Sequence, residues 1–400
     1  MGRWKKVTVE DIAKKIQYGY TGKTIKKGHY KYLRITDIQN QSVDWSTVPM
    51  SDVSSEKDIE KYKLEINDIL FARTGATVGK SFLIEDYEPS IFASYLIRVQ
   101  PQEIVFPKYL YLYFQSESYW KQIRAHEVGA AQPNVNGKKL GKIKFPLPPL
   151  PEQKRIVTKL DALFADIDKA IGLLEENLAH TQALMGSVLD EEFGKLEKVS
   201  SKKEKLKNLT TKIGSGSTPR GGQSSYKQSG ISLIRSMNVH DCFFKDKNLA
   251  FIDDEQADKL KNVEIQENDV LLNITGASVA RCCIVDSSYL PARVNQHVSI
   301  IRTDENIFPE FILYFLISPK MKSKLLYDSA GNATREAITK SMIESIEVPI
   351  VSLEIQQRLI DKIKESFRLC DELTKTETQK LTHLRSLKSS LLDKAFKGEL

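Results

Sequence analysis

The sequence predicts an α+β protein built as an internal repeat. Each copy holds a mixed, strand-rich domain followed by one long helix. Three observations carry this. Blocks of the first half return about 201 to 203 positions later. Within each half, short strand-like runs broken by Gly, Asn, Asp and Pro come first. They then give way to an apolar seam of alternating steps of three and four, the heptad signature of a long helix that packs on another.

The repeat is read block by block. Asn67-Asp68-Ile69-Leu70 returns as Asn268-Asp269-Val270-Leu271, 201 positions on. At the same offset Thr74-Gly75-Ala76-Thr77-Val78-Gly79-Lys80 returns as Thr275-Gly276-Ala277-Ser278-Val279-Ala280-Arg281. Arg34-Ile35-Thr36-Asp37-Ile38 returns as Arg235-Ser236-Met237-Asn238-Val239. Near an offset of 203, Gln153-Lys154-Arg155-Ile156-Val157 parallels Gln356-Gln357-Arg358-Leu359-Ile360. Ser187-Val188-Leu189-Asp190 and Phe193 mirror Ser390-Leu391-Leu392-Asp393 and Phe396. So small a drift over half a chain marks a tandem duplication.

Four segments follow: a domain over 1–150, a helix over 151–196, a second domain over 197–352 and a second helix over 353–400. Strand-like runs include Tyr30 to Ile38, Asp68 to Ala72 and Ile91 to Val99, and a short helix is expected over Tyr109 to Tyr113 after Pro107. Pro146, Pro148, Pro149 and Pro151 lead into the first long helix near Glu152. Its seam reads Leu160, Phe164, Ile167, Ile171, Leu174, Leu178, Thr181, Met185 and Val188. Ser352 is the expected N-cap of the second, which carries Ile360, Ile363, Phe367, Cys370, Leu381, Leu384 and Leu391, with a more polar middle from Thr374 to Lys380. A straight helix from Glu152 to Phe193 is roughly 60 Å long, and a lone one cannot bury its stripe. Pairing the two stripes within one chain is the economical solution; pairing with another protein's helices is the alternative. Parallel helices would put both domains at one end. Antiparallel helices would put them at opposite ends about a pseudo-twofold axis, which suits a bipartite site on a duplex.

The composition is that of an ordinary globular protein, 41% hydrophobic and 28% charged. Its 400 residues suit two to four domains. No apolar run of membrane-spanning length and no secretory signal is seen, so the expected location is the cytoplasm, with no membrane partner. Cys242, Cys282, Cys283 and Cys370 form no ligand spacing, and no metal is expected. The formal charge of +7 favours a polyanion partner, weakly.

The order of variable domain, Pro146-Leu147-Pro148-Pro149-Leu150-Pro151-Glu152-Gln153-Lys154-Arg155-Ile156, then long helix is given twice. It closes on Leu391-Leu392-Asp393-Lys394-Ala395-Phe396-Lys397-Gly398-Glu399-Leu400. In this the chain resembles the specificity subunits of type I restriction-modification enzymes, over essentially its whole length. The resemblance implies two target recognition domains separated by two long helices that form an intramolecular antiparallel coiled coil. It implies a double-stranded DNA partner with a split, asymmetric target. It further implies docking of two modification (methyltransferase) subunits and, through them, restriction (helicase-nuclease) subunits. S-adenosylmethionine, ATP and Mg would be used by those partners, and this chain would have no catalytic residue and no cofactor of its own. Two departures stand out. The second helix is preceded by Val351-Ser352-Leu353-Glu354-Ile355-Gln356 without the proline cluster, and the first domain has Gly19-Tyr20-Thr21-Gly22-Lys23 where the second has Gly216-Ser217-Thr218-Pro219.

Three repeated polar segments are the expected DNA contacts. The first is Arg73, Thr74, Thr77 and Lys80 with Asn273, Thr275, Ser278 and Arg281. Gly75 and Gly276 permit a tight turn, the hydroxyls can bond phosphate, and the cations supply charge. The plain alternative is a hairpin turn in water. A phosphate-binding P-loop is excluded at Gly75 to Ser81, because the pattern needs Gly five positions before Gly79, with four residues between, and Thr74 stands there. The second is Arg34, Thr36 and Asp37 with Arg235, Ser236 and Asn238, expected at strand edges. Arg can read guanine, Asn adenine, and Asp can accept from cytosine; scaffold salt bridging is the alternative. The third is Gln132, Asn134 and Asn136 with Asn332, Thr334 and Arg335. Asp68 and Asp269 are expected as turn residues, and the six histidines as ordinary surface or core. No methyltransferase or nuclease motif occurs. The rival readings are a coiled-coil adaptor with protein-binding ends and an autonomous enzyme.

Overall fold

A computed structural model describes residues 4–39, 42–86, 88–125, 135–200, 202–330 and 337–400. The chain divides into two compact units, one of residues 1–175 with 378–400, the other of residues 176–377.

The first unit's lobe is centred on an antiparallel sheet of β1 (Ala13–Tyr18), β2 (Ile69–Ala72), β3 (Ser81–Leu83) and β4 (Leu96–Pro101), in the order β1-β4-β2-β3. All four residues of β2 are buried. Ile69 and Phe71 face a core shared with α1 (Pro107–Tyr113), while Leu70 packs with Leu33, Phe92 and Leu96 on the other side. A strand covered on both faces reads as an unbroken apolar run. A parallel pair, Lys31–Leu33 with Ser90–Phe92, adds a second layer. The expected strand from Tyr30 to Ile38 therefore stops at Leu33 and turns at once into a 3-10 turn at Ile35–Asp37. Pro107 takes the first helical position of α1, where its missing N–H costs nothing. The chain then enters α2 (Leu150–Val199).

The second lobe repeats this plan. β5 (Thr210–Ser215), β6 (Val270–Asn273), β7 (Cys282–Ile284) and β8 (Val298–Thr303) form a sheet in the order β5-β8-β6-β7. Ile231–Ile234 pairs in parallel with Ala292–Val294. α3 (Pro309–Ile317) is the counterpart of α1, with every residue from Phe311 to Ile317 buried. α4 (Leu353–Lys397) follows, and Ser352 Oγ accepts from Ile355 N at 3.4 Å as its N-cap.

Asp68 and Asp269 do hold turns, accepting from Glu65 N (2.9 Å) and Gln266 N (2.7 Å). They also anchor ion pairs, to Arg98 at 3.1 Å and to Arg302 at 2.8 Å. Arg98 in addition donates to the Lys63 and Lys61 carbonyls and to Gln17. Burial pushes the Asp68 carboxyl above its usual range, while Arg98 pulls it the other way.

The helices pair within one chain. In the first unit the Asp168 and Lys388 side chains meet at 2.6 Å, Glu175 and Arg385 at 2.9 Å, and Arg155 reaches the Leu400 carbonyl at 3.0 Å. As numbers rise along α2 they fall along α4, so the helices run antiparallel. Leu160, Phe164 and Ile167 are buried there with Leu392, Ala395 and Phe396. In the second unit Glu192 pairs with Lys362 at 2.9 Å. There Leu189, Phe193 and Leu196 join Leu359, Ile360 and Ile363. The seam thus has the predicted heptad spacing, with only half-buried Thr374 and Glu377 between Cys370 and Leu381.

Each lobe is tied to its helix by a buried glutamine. Gln153 Oε1 accepts from Phe106 N (2.7 Å), and its Nε2 donates to the Ile104 and Pro148 carbonyls (3.0 and 2.9 Å). Gln356 makes the same three bonds, to Phe308 N (3.0 Å) and to the Asn306 and Val351 carbonyls (both 3.1 Å). The missing proline cluster before α4 therefore leaves the local geometry intact.

Candidate nucleic-acid interface

In the first lobe β2 and β3 are joined by a tight hairpin over residues 73–80. Gly75–Thr77 makes one 3-10 turn, and Gly75 and Gly79 both sit at φ +79°, a region side chains avoid. A Cβ at Gly79 would also come within 3.1 Å of Ile123 and 3.2 Å of Trp120. Bonds from Ala72 N to Lys80 O and from Gly79 N to Ala72 O, both 2.9 Å, close the hairpin. Lys80 is followed by a strand, not by a helix N-terminus, so the segment has no phosphate cradle of the P-loop kind.

Arg73 donates its N–H to the Tyr95 carbonyl at 3.2 Å, and its guanidinium lies 4.9 Å over the Tyr18 ring. Thr36 and Lys80 are exposed, and Thr74 and Thr77 half-buried. Thr36, Thr77 and Lys80 line one cavity of about 560 Å³ with Gln39, Phe82 and Trp120. The structure thus gathers residues that the sequence places some 40 positions apart.

The second lobe builds the same hairpin. Asn273 N donates to Arg281 O and Ala280 N to Asn273 O, both at 2.8 Å. Gly276 has φ +77°, and Ala280 holds φ +65° where the first lobe has glycine. Ser236, Met237, Thr275, Ser278, Arg281 and His297 line a cavity of about 450 Å³. Thr275 Oγ1 lies 2.5 Å from His297 Nδ1. His240 stacks on the half-exposed Phe243 at 4.6 Å, with Arg281 Nη1 3.5 Å from its Nδ1.

Several expected contacts are corrected. Arg34 and Asp37 bound the turn between the strands Lys31–Leu33 and Ile38–Gln39, and Arg235 and Asn238 the turn between Ile231–Ile234 and Val239–His240. Asp37 is not free to accept from a base: its carboxylate takes Arg34 Nη2 at 2.7 Å, Arg34 Nε at 3.1 Å and Arg34 N at 2.8 Å. Asn238 and Asn273 are fully buried. Asn238 bonds Arg235 N and the Lys245 carbonyl; Asn273 bonds the Ser236 carbonyl and Ser278 Oγ. Both position the site from behind. Asn136 caps a short helix at Gly137–Gly141, accepting from Lys139 N. Gln132, Asn134, Asn332, Thr334 and Arg335 lie outside the described residues.

Composition and spacing do not single out Tyr95, His240 or His297. Tyr95 and His297 occupy matching places, since Ile274 N donates to His297 O as Arg73 N does to Tyr95 O. Their only sequence signal is that register, just before β4 and β8. The charge pattern is clear: among the described residues, none of Arg73, Lys80, Arg235 and Arg281 is ion-paired, whereas Arg34 is. Four uncompensated cations beside hydroxyls are suited to phosphate and base edges.

The family described as "Type I restriction modification DNA specificity domain" matches residues 1–176 and 200–383, and the chain belongs to that family. It is similar to the type I restriction enzyme EcoKI specificity subunit of Escherichia coli K12, at 23% identity over 94% of this chain and 83% of the relative. It is likewise similar to the putative type I restriction enzyme MjaX specificity subunit of Methanocaldococcus jannaschii, 23% identical over 99% of this chain and 93% of that one. Among solved structures, the fold matches a chain described under complex assembly and conformational transition of the type I R-M system. The TM-score is 0.77, with 19% identity and coverage of 100% and 99%. The HsdS subunit from Thermoanaerobacter tengcongensis matches at TM-score 0.59, 18% identical, with coverage of 100% and 98%.

Proposed function

We propose that this chain is the DNA-reading subunit of a type I restriction-modification complex, each lobe reading one half of a split, asymmetric duplex target. The observation that carries this is the same hairpin and turn, built twice, with different uncompensated cations and polar side chains on each copy. Direct contacts to base edges specify, and Arg73, Lys80, Arg235 and Arg281 position the lobes on phosphate. The paired helices fix the spacer and offer the platform for two methyltransferase subunits, through which helicase-nuclease subunits join. Methyl transfer and cleavage, with S-adenosylmethionine, ATP and Mg, belong to those partners; this chain contributes no catalytic group. Among the described residues no helix is long and apolar enough to cross a membrane.

The test exchanges residues 1–150 for another recognition domain and maps methylation across the genome. One half of the methylated sequence should change while the other half and the spacer stay. A change in neither half, or in both, would refute it.

A further inference from the structure

The two lobes differ at one turn. In each, an arginine opens a 3-10 or similar turn whose fourth residue caps the arginine N–H: Asp37 accepts from Arg34 N at 2.8 Å, and Asn238 from Arg235 N at 3.1 Å. The backbone bond back, Asp37 N to Arg34 O and Asn238 N to Arg235 O, is also shared, at 3.1 and 2.8 Å. The side chains then part company. In the first lobe the carboxylate also grips the guanidinium at two points, and that grip holds the Arg34 pKa above its usual value. Arg34 carries its charge, but Asp37 cancels it. In the second lobe the capping residue is neutral. Its Nδ2 donates to the Lys245 carbonyl at 2.8 Å, a bond a carboxylate could not make. Arg235 instead lies 5.3 Å over the Tyr226 ring, bonds the Asn248 carbonyl, and its Nε meets no acceptor.

We propose that Arg235 carries its charge to a DNA phosphate while its counterpart Arg34 is silenced by Asp37, so that this turn adds positive charge to the grip on one half-site and not on the other. This rests on the reading of the lobes as DNA readers. A guanidinium stacked on a ring and free of a carboxylate can exchange its carbonyl bond for phosphate or guanine. One already gripped bidentately must first give up its ion pair.

The experiment measures binding of the full chain, assembled with its modification partner, to a duplex carrying the target mapped by methylation, over a series of salt concentrations. Arg34→Gln alone would strand the Asp37 carboxylate, so the first-lobe pair is removed as Arg34→Gln/Asp37→Asn. Arg235→Gln should weaken binding about tenfold and lower the salt slope by about one phosphate contact. The paired first-lobe variant removes one positive and one negative charge, leaves the net charge unchanged, and should leave both within about twofold. Asp37→Asn alone keeps the cap, as Asn238 does, and should tighten binding with a steeper salt slope. Equal losses from the two lobes, or no loss from Arg235→Gln while Lys80→Gln and Arg281→Gln weaken binding, would overturn the inference. If none of these variants alters binding, the DNA-reading assignment of the hairpins falls with it. Unchanged thermal unfolding of each variant excludes misfolding as the cause.

Discussion

Buried charge is the residue-scale feature on which the first lobe depends. The Asp68 and Arg98 side chains are only 3% and 4% exposed, and Arg98 joins β4 to β1 and to two backbone carbonyls of the segment before β2. Removing one partner of such a pair leaves an uncompensated charge in a poorly solvated place. Arg98→Leu should therefore cost about 3–5 kcal/mol of stability in urea unfolding. A loss no larger than that of an ordinary surface substitution would contradict this account. The spacing of Asp68 and Asp269 before a strand revealed the turns. It could not reveal the ion pairs, because the partners lie 30 and 33 positions away and meet only when the strands align.

Among elements, the joint between lobe and long helix is set by one side chain. Gln153 satisfies three backbone groups from three different positions, and Gln356 repeats the set in the second unit. Gln153→Leu would bury those groups unpaired, at about 1–3 kcal/mol each. Amide exchange at Phe106 should quicken by at least tenfold, about 1.4 kcal/mol, while exchange in the second lobe stays unchanged. An unaltered Phe106 rate would rule the clamp out. The repeat of Gln-x-Arg at 153 and 356 was legible as a duplication, but its role as a clamp was not. A buried glutamine and a solvated one look alike in a heptad flank until the facing loop is in place.

At the scale of the whole molecule, each lobe is closed by the helix end of the other repeat. Phe396, at the end of α4, packs 5.1 Å from both Tyr109 and Tyr113 of the first lobe. Phe193, its counterpart at the end of α2, packs 5.3 Å from Phe311 and Phe315 of the second. A chain of residues 1–196 alone would leave Tyr109 and Tyr113 without their cover while carrying a free Phe193 end of matching sequence. Two copies can exchange those ends, so this piece should sediment as a dimer that dissociates only with unfolding. A folded monomer at micromolar concentration would count against the exchange.

The duplication, the two long helices with their heptad seam, the glycine-shaped hairpins and the family they imply were all set down in the amino-acid order. Each depends on local spacing, which periodicity and turn chemistry report directly. Tertiary structure alone decided which polar side chains face outward. It buried Asn238 and Asn273, paired Arg34 with Asp37, left Arg235 unpaired, and brought Tyr95 and His297 to the hairpins. Those outcomes depend on burial and on contacts between segments tens to hundreds of residues apart, and a side chain's availability to DNA is a property of its neighbours rather than of its type.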